Sequence, residues 1–277
     1  MSLLFIRTPI RQLYHRLMQP KKMEFSPQHL KRSAIIFSPH QDDETLGCGG
    51  TIIRKKQAGA EVKIVFMTDG SGSHSHIIPR HKLAEIRAKE AVAAAQKLGV
   101  EPEDILFLGI PDGSLTHNQD AATQKVIEIL SRFYPEEVFI PYSKDGVPDH
   151  NATYQTVINA LKQWGWEATI YEYPIWFWNH WPWTVGAKPN NQELSNFKQE
   201  LQAGLTLIQT FQYTVYIGDI LEQKRAALNQ HQSQVTRLIP HPRWLTLGDV
   251  SQGEFLNCFF QDYERFHRYQ FTQNSVC

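Results

Sequence analysis

Short apolar runs alternate with longer segments of helical periodicity once the chain has passed residue 33. The apolar runs that predict strands lie at 34–37, 62–67, 105–108, 138–140 and 169–173. Between them, apolar positions follow a helical spacing at 45–58, 80–98, 120–133 and 150–163. This alternation is typical of successive βαβ units, in which helices cover a sheet of parallel strands. The pattern therefore predicts an α/β protein with a Rossmann-like three-layer fold and a mainly parallel sheet.

The regular alternation stops after Pro174. An aromatic stretch occupies 176–183 and contains four of the seven tryptophans. It is followed by a polar loop, a predicted helix from about residue 193, a strand near 213–217 and a helix over 219–234. Aromatic side chains bury large areas and also stack on ligands. The aromatic stretch therefore has two interpretations, namely packing in the core or an interface, and contact with a substrate.

The first 20 residues place apolar side chains at three- and four-residue spacing, which predicts an amphipathic helix. Residues 1–32 also hold seven Lys or Arg residues and one acidic residue, Glu24. We therefore treat 1–32 as a basic amphipathic extension and 33–277 as the main domain. Three interpretations of the extension stay open: packing on the main domain or on a second subunit of a homo-oligomer, contact of residues 1–20 with an anionic membrane surface, and an organelle transit peptide.

Composition and charge exclude several classes of protein. Of the 277 residues, 42% are hydrophobic and 20% are charged, as in globular proteins and unlike disordered chains or coiled coils. The 28 basic and 28 acidic residues balance, so we expect no nucleic-acid partner. Three cysteines in a long chain indicate a reducing compartment. Because no apolar stretch reaches the roughly 20 residues that span a bilayer, we expect a cytoplasmic protein.

The densest group of chemically competent side chains follows directly after the first predicted strand. The segment 38–44 reads SPHQDDE and contains His40, Asp42 and Asp43. In an open parallel sheet, ligands bind outside the carboxyl ends of the strands, where the winding direction reverses. Adjacent Asp42 and Asp43 cannot readily face one metal ion together. We expect one of them to be a ligand and the other to be free to act as a base.

A second polar segment follows the fourth predicted strand and reads PYSKDGVPDH over 141–150. It supplies another imidazole and another carboxylate at the same edge of the sheet. Two histidines and one carboxylate form the open three-ligand site of catalytic zinc, which leaves the fourth position to water. Zinc lowers the pKa of that water, and a nearby carboxylate removes its proton as it attacks a carbonyl. The two segments together predict metal-assisted hydrolysis.

At this point the sequence resembles a known family. PHQDDE is similar to the (A/P)HPDDE motif, and PDH to the HxDH motif, of the PIG-L/LmbE-like zinc N-deacetylases. Further segments that resemble family signatures lie at 46–51, 68–70, 87–90, 111–115 and 224–234. The resemblance covers about residues 33–235, and its motifs occur in the family's order and spacing.

The resemblance implies a role for each matching residue of the two motifs. It implies a zinc ion, Zn²⁺, held by His40, Asp43 and His150. It implies that Asp42 is the general base and that Asp149 hydrogen-bonds to an active-site imidazole and tunes it.

The resemblance also implies a substrate. Relatives in the family remove an acetyl group from an N-acetylglucosamine-type sugar or glycoconjugate and release acetate. The positions that match Arg87 and Asp112 contact the sugar in relatives, so both are candidate substrate-binding residues. The implied partner is thus an amino-sugar-containing small molecule or glycoconjugate.

Two positions depart from the family pattern. Gln41 replaces a proline, which changes mainly the stiffness of the backbone. Val147 occupies the first histidine position of HxDH, whose histidine the family uses to stabilise the oxyanion or protonate the leaving amine. Three explanations stay open: Asp42 serves as both base and acid, turnover is weak, or another histidine supplies the proton, the candidates being His74, His76, His180, His231 and His241. For His231, helix capping or packing is the alternative to a site-facing acid.

Two rival classes follow from these departures. One is a different metal-dependent amide or ester hydrolase on the same scaffold. The other is a catalytically weak metal- or ligand-binding module, because Val147 cannot donate a proton.

Overall fold

The computed structural model of the chain describes residues 4–17, 24–180, 182–184 and 193–272. The strands are β1 (Ala34–Ser38), β2 (Val62–Thr68), β3 (Ile105–Ile110), β4 (Glu137–Pro141), β5 (Ala168–Tyr173), β6 (Tyr213–Tyr216) and β7 (Tyr263–Phe271). The helices are α1 (Leu4–Leu17), α2 (Pro27–Lys31), α3 (Asp43–Gln57), α4 (Arg80–Lys97), α5 (Gln119–Phe133), α6 (Pro148–Trp164), α7 (Glu193–Thr210), α8 (Leu221–Leu228), α9 (Gln232–Val235) and α10 (Glu254–Asn257).

The strands form one sheet in the order β3-β2-β1-β4-β5-β7-β6. Strands β1 to β5 are parallel, whereas β7 runs antiparallel to both β5 and β6. The winding direction reverses between β1 and β4, so the loops that follow these two strands meet at one edge of the sheet. The predicted α/β fold with a mainly parallel sheet is confirmed.

Helices cover both faces of the sheet, because alternate strand residues enter two separate hydrophobic clusters. Ile36 of β1 packs in the cluster that contains residues of α3 and α4. Its neighbours Ile35 and Phe37 pack in the cluster that contains residues of α5 and α6. A strand buried on both faces needs apolar side chains at successive positions. This burial explains why β1, β2 and β4 could be predicted from continuous apolar runs in the sequence.

The carboxy-terminal part differs from the prediction in two respects. The single helix predicted over 219–234 is instead a 3₁₀ turn, then α8 and α9, with a break at 229–231. Strand β7 was not predicted at all. Its inward positions include the charged Glu264 beside Phe266, so the strand lacks the alternation of apolar and polar residues that identifies a half-buried strand.

A close approach of α3 to the sheet requires glycine at position 47. A Cβ atom there would collide with the ring of Tyr173 on β5. The Tyr173 hydroxyl donates a hydrogen bond to the Phe37 carbonyl at 2.7 Å, so the ring cannot easily move aside. Glycine at position 47 therefore allows α3 to pack closely against β5.

The amino-terminal helix α1 contacts the main domain. Tyr14 is buried against Gly204 of α7, and Arg11 forms an ion pair with Glu254 of α10. Leu13 and Leu17 are 52% and 42% exposed. These contacts agree with the packing interpretation, while membrane contact of residues 1–20 and a homo-oligomer stay predictions. Residues 1–3 and 18–23 lie outside the described part of the chain.

None of the helices in the described ranges has both the length and the apolar character that a bilayer crossing requires.

A buried ion pair joins β7 to α3 and α8. Lys224 Nζ lies 2.8 Å from Glu264 Oε1 and donates to the Leu46 and Phe259 carbonyls. Glu264 also accepts the backbone N–H groups of residues 50 and 51. The pair therefore fixes the last strand to the helix that begins at the first motif.

Lys224→Met is expected to lower the free energy of unfolding by about 3–5 kcal/mol, because it leaves the buried Glu264 carboxylate without its cation. Urea unfolding measures this change. Lys82→Met is the matched control, since Lys82 is exposed on α4 and the free energy should change by about 0.5 kcal/mol or less. Equal free energies of unfolding for the two variants would contradict the stabilising role of the Lys224–Glu264 ion pair.

Candidate metal centre

The functional side chains follow three parallel strands of the sheet, β1, β3 and β4. His40 and Asp42 lie between β1 and α3, Asp43 is the first residue of α3, and His150 lies in the first turn of α6 after β4. Asp112 follows β3. The carboxyl ends of these parallel strands lie at the same edge of the sheet, and the winding direction reverses between β1 and β4.

Three donor groups from these loops converge. Asp43 Oδ2 lies 3.3 Å from His40 Nδ1 and 3.3 Å from His150 Nε2. The donor atoms of His40, Asp43 and His150 all lie within 4.8 Å of one another. The structure therefore brings together the three residues that the first and second motifs supply as candidate ligands.

A buried carboxylate behind His150 orients its ring. Asp145 Oδ2 lies 2.8 Å from His150 Nδ1, on the side away from Asp43. Asp145 is itself fixed by the backbone N–H groups of Ile175, Trp176 and Phe177, which donate to it at 2.8 to 3.0 Å. Carboxylates commonly orient metal-binding histidines in this way.

A second group of potential donors shares His40. His40 Nε2 lies 3.5 Å from Asp112 Oδ1 and 3.4 Å from Asp149 Oδ2. The donor atoms of His40, Asp112 and Asp149 also lie within 4.8 Å of one another. Asp149 accepts the backbone N–H of Gly113 at 2.7 Å, so its carboxylate ties the loop after β3 to α6. Asp149 thus contacts an imidazole of the cluster, as the resemblance implies.

The ionisable groups of the cluster shift one another strongly. Burial opposes charge on Asp43, but His150 and His40 outweigh it and hold the pKa of Asp43 well below its usual range. Burial also opposes protonation of His150, yet Asp43 and Asp145 raise its pKa to about 9. Burial raises the pKa of Asp112, but His40 and the Gly72 N–H lower it to about 2. The carboxylates thus make the electrostatic potential of the cluster negative, which favours a bound positive charge.

Asp42 differs from its neighbour Asp43 in conformation and in electrostatics. Its backbone has φ 148° and ψ −27°, a conformation that non-glycine residues rarely adopt. Its side chain is 9% exposed and accepts a hydrogen bond from Arg87 Nη2 at 3.2 Å. Burial raises the pKa of Asp42 to about 6, although Arg87 opposes the shift. A carboxylate tuned toward neutral pH suits proton transfer.

Arg87 and Asp112 both line the cavity in front of the cluster. Arg87 is 3% exposed and donates to the carbonyls of Gln41 and Gly70 at 2.6 and 3.1 Å, so much of its guanidinium group fixes the loop backbone. Asp112 Oδ2 accepts the Gly72 N–H at 2.8 Å. Both residues lie where a substrate in the cavity would contact them.

The cavity has a volume of about 610 Å³, within the range of small-molecule sites. His40, Asp42 and Asp43 lie at its polar end. Trp176 and Phe255 form part of an apolar wall, with ring centroids 4.8 Å apart. Trp176 therefore lines the cavity, while Trp178 and Trp183 are buried in the core. Trp181 lies outside the described residues.

Comparison with known proteins gives a family match over the same region. The family model described as "PIG-L: GlcNAc-PI de-N-acetylase" matches residues 35–161, which include both motifs and four parallel strands. This region of the chain is therefore similar to the PIG-L family.

Curated relatives of the chain are sugar deacetylases by name. The "Probable N-acetyl-alpha-D-glucosaminyl L-malate deacetylase 2" of Bacillus cereus is 29% identical over 48% of this chain and 63% of its own length, so the chain spans less than two thirds of that relative. The "Diacetylchitobiose deacetylase" of Thermococcus kodakarensis is 26% identical over 73% of this chain and 70% of its own length.

Solved structures share the fold. The N,N'-diacetylchitobiose deacetylase from Pyrococcus horikoshii superposes with a TM-score of 0.60 at 23% identity, covering 95% of this chain and 92% of its own. GalB, a 4-carboxy-2-hydroxymuconate hydratase from Pseudomonas putida, superposes with a TM-score of 0.56 at 16% identity, covering 89% and 98%. Because proteins of different activity share this fold, the fold alone does not decide which reaction the chain catalyses.

Only some of the histidines that are candidates to replace the missing proton donor at position 147 line the cavity. Val147 precedes α6 and lines the cavity. Among the candidate histidines, His74 and His76 line the cavity, whereas His180, His231 and His241 are not among its lining residues. His74 is 3% exposed, stacks on Trp244 and contacts the Leu245 carbonyl at 2.9 Å.

The interpretation of His231 as a site-facing acid is wrong. His231 is fully buried, and its Nε2 lies 3.0 Å from Glu44 Oε1, behind the first motif. A side chain in this position cannot transfer a proton directly to a substrate in the cavity. Its place at the break between α8 and α9 also means that it does not lie on a continuous helix.

Two contributors to this centre were not assigned from the sequence. Asp145 lies within the second motif segment, but nothing in a linear sequence shows that it faces the ring of His150 five residues later. Glu44 lies in the first turn of α3, and its side chain accepts the Asp42 N–H at 3.0 Å.

Proposed function

We propose that this chain is a zinc-dependent hydrolase that removes the N-acetyl group from an N-acetylglucosamine-type sugar or glycoconjugate and releases acetate. The observation that carries the proposal is the convergence of His40, Asp43 and His150 at the end of a cavity beside Asp42. The names of its relatives support the sugar substrate.

The donor set fits zinc. His150 Nε2 is buried, has no hydrogen-bond partner among the described residues and is directed at Asp43, while Asp145 faces its other ring nitrogen. Two imidazoles and one carboxylate are the ligands of many catalytic zinc sites. We therefore assign His40, Asp43 and His150 as the metal ligands. A bound zinc ion would act as a Lewis acid that polarises the amide carbonyl and makes water more acidic.

Asp42 is proposed as the general base. It lines the cavity next to the ligand Asp43, and Arg87 holds its Oδ1. From there its free oxygen can remove a proton from the attacking water as the water adds to the amide carbon. Asp149 keeps the ring of His40 in place from the opposite side.

Asp42 is also proposed as the proton donor to the leaving amine. Val147 cannot donate, both ring nitrogens of His74 already have partners, and His76 is exposed at the cavity mouth. Once Asp42 has accepted the proton from water, it can transfer the same proton to the amine nitrogen, since the scissile C–N bond must lie beside it. One carboxylate thus serves both steps.

The amino sugar is proposed to lie between the cluster and the mouth of the cavity. Asp112, 15% exposed at its side chain, can accept hydrogen bonds from sugar hydroxyls. Arg87 contributes from the floor of the cavity, next to Asp42. The apolar wall around Trp176 can pack on a ring face or on an apolar part of the conjugate.

The test is acetate release from a panel of N-acetylglucosaminyl lipids, inositols, nucleotide sugars and chitobiose, with simple esters as the comparison. We expect acetate and a free amine from at least one amino-sugar conjugate, loss of activity after chelation, and recovery when zinc is returned. Release from esters alone would favour a different hydrolase. No release from any substrate by the zinc-loaded protein would favour the binding module that Val147 suggests.

The expected cytoplasmic location stays a prediction.

A further inference from the structure

A fully buried histidine that the proposed reaction does not use lies behind the first motif. His231 Nε2 is 3.0 Å from Glu44 Oε1, although the two residues are 187 positions apart in sequence. Glu44 is itself fully buried and does not line the cavity. Burying a histidine and a carboxylate away from water costs free energy. Their burial here therefore suggests that the pair serves a function.

Glu44 connects this histidine to the backbone of the proposed base. While Oε1 contacts His231 and accepts the Thr45 hydroxyl at 2.6 Å, Oε2 accepts the Asp42 backbone N–H at 3.0 Å. Glu44 thus holds the peptide group between Gln41 and Asp42 in place.

The Asp42 backbone needs such support. At φ 148° it lies in a region that non-glycine residues occupy only when the surrounding structure imposes it. Without an acceptor for the Asp42 N–H, the peptide could relax toward an ordinary conformation and turn the carboxylate away from the cavity. A displacement of about 1 Å can lower a catalytic rate on the order of a hundredfold.

The turn that carries His231 is fixed from the other side. Glu90 on α4 accepts the Ser233 N–H and hydroxyl at 2.8 and 2.6 Å. Trp244 Nε1 donates to the Ser233 carbonyl at 3.1 Å. The break between α8 and α9 therefore places the imidazole against Glu44 with little freedom.

We propose that His231 is a positioning residue which, through Glu44, holds the Asp42 backbone in its strained conformation and so directs the Asp42 carboxylate into the cavity. The chain of contacts runs from the imidazole to the Glu44 carboxylate and from there to the Asp42 N–H. The kinetic consequence rests on the proposed deacetylase function, while the structural consequence does not.

The test compares His231→Gln with His231→Leu. Glutamine can still donate a hydrogen bond to Glu44, whereas leucine fills a similar volume without a polar group. We expect His231→Leu to lower kcat for acetate release by about ten- to hundredfold with little change in KM, and His231→Gln to retain most of kcat. If His231 served packing alone, leucine would be the better replacement and the order would reverse.

Hydrogen exchange supplies a readout that does not depend on activity. The Asp42 amide should exchange faster in His231→Leu than in the parent, while amides of β4 in the core should exchange at unchanged rates. Gln232→Leu is the matched control, because Gln232 is exposed on the same turn, and it should change neither the exchange nor kcat. Unaltered Asp42 exchange in His231→Leu would overturn the proposal. An inactive parent protein would refute the deacetylase function but leave the exchange result decisive.

Discussion

Asp42→Asn is expected to lower kcat for acetate release by about 10²- to 10⁴-fold, the usual contribution of a positioned general base. Asparagine keeps the shape of the side chain and can still contact Arg87, but it cannot accept a proton. Because Asp42 is proposed to serve both proton transfers, no second residue should rescue either step. The measurement is steady-state acetate release by the zinc-loaded protein.

The zinc content separates this effect from loss of the metal. Asp43, His40 and His150 are unchanged in Asp42→Asn, so zinc should remain bound at one ion per chain when measured by elemental analysis. Asp120→Asn on α5 is the matched control, since Asp120 is exposed and is not among the residues that line the cavity. Unchanged kcat in Asp42→Asn at full zinc occupancy would remove Asp42 from the proposed reaction.

Asp43→Asn is expected to abolish stable zinc binding and with it the activity. Asp43 Oδ2 lies between the two imidazoles, 3.3 Å from each, and its negative charge is the only one that the proposed ligand set supplies. An amide in its place offers a neutral oxygen, which binds zinc weakly. Zinc affinity measured by competition with a chromogenic chelator tests this expectation.

Asp145→Asn provides an intermediate case. Asp145 contacts His150 but is not a proposed ligand, so its loss should weaken zinc binding by about 10- to 100-fold, as removal of a carboxylate behind a ligating histidine does. The expected order of affinities is parent, then Asp145→Asn, then Asp43→Asn. Parent-like zinc affinity in Asp43→Asn would show that the other donor group, formed by His40, Asp112 and Asp149, is the metal site.

Several features were predictable because they depend on short stretches of sequence. Five parallel strands were predictable from apolar runs, and four of them, β1, β2, β4 and β5, are buried on both faces of the sheet. The first motif supplies three chemically active side chains within one loop. The first motif and the segment after β4 were expected to lie close together because both follow the carboxyl ends of parallel strands, where ligands bind.

Other features were not predictable because they depend on which distant segments meet. Strand β7 buries the charged Glu264, which Lys224 compensates from α8, and no local pattern reveals this pairing. The apolar wall of the cavity around Phe255 comes from a region without regular periodicity.

The sequence alone determined the class of fold, the candidate ligands and the candidate base, because periodicity and short motifs act over a few residues. Only the tertiary structure showed that Asp145 faces His150, that His231 turns away from the cavity toward Glu44, and that the Asp42 backbone is strained. These relations depend on side-chain direction and on contacts between segments far apart in the chain, and no local pattern in the sequence reveals either.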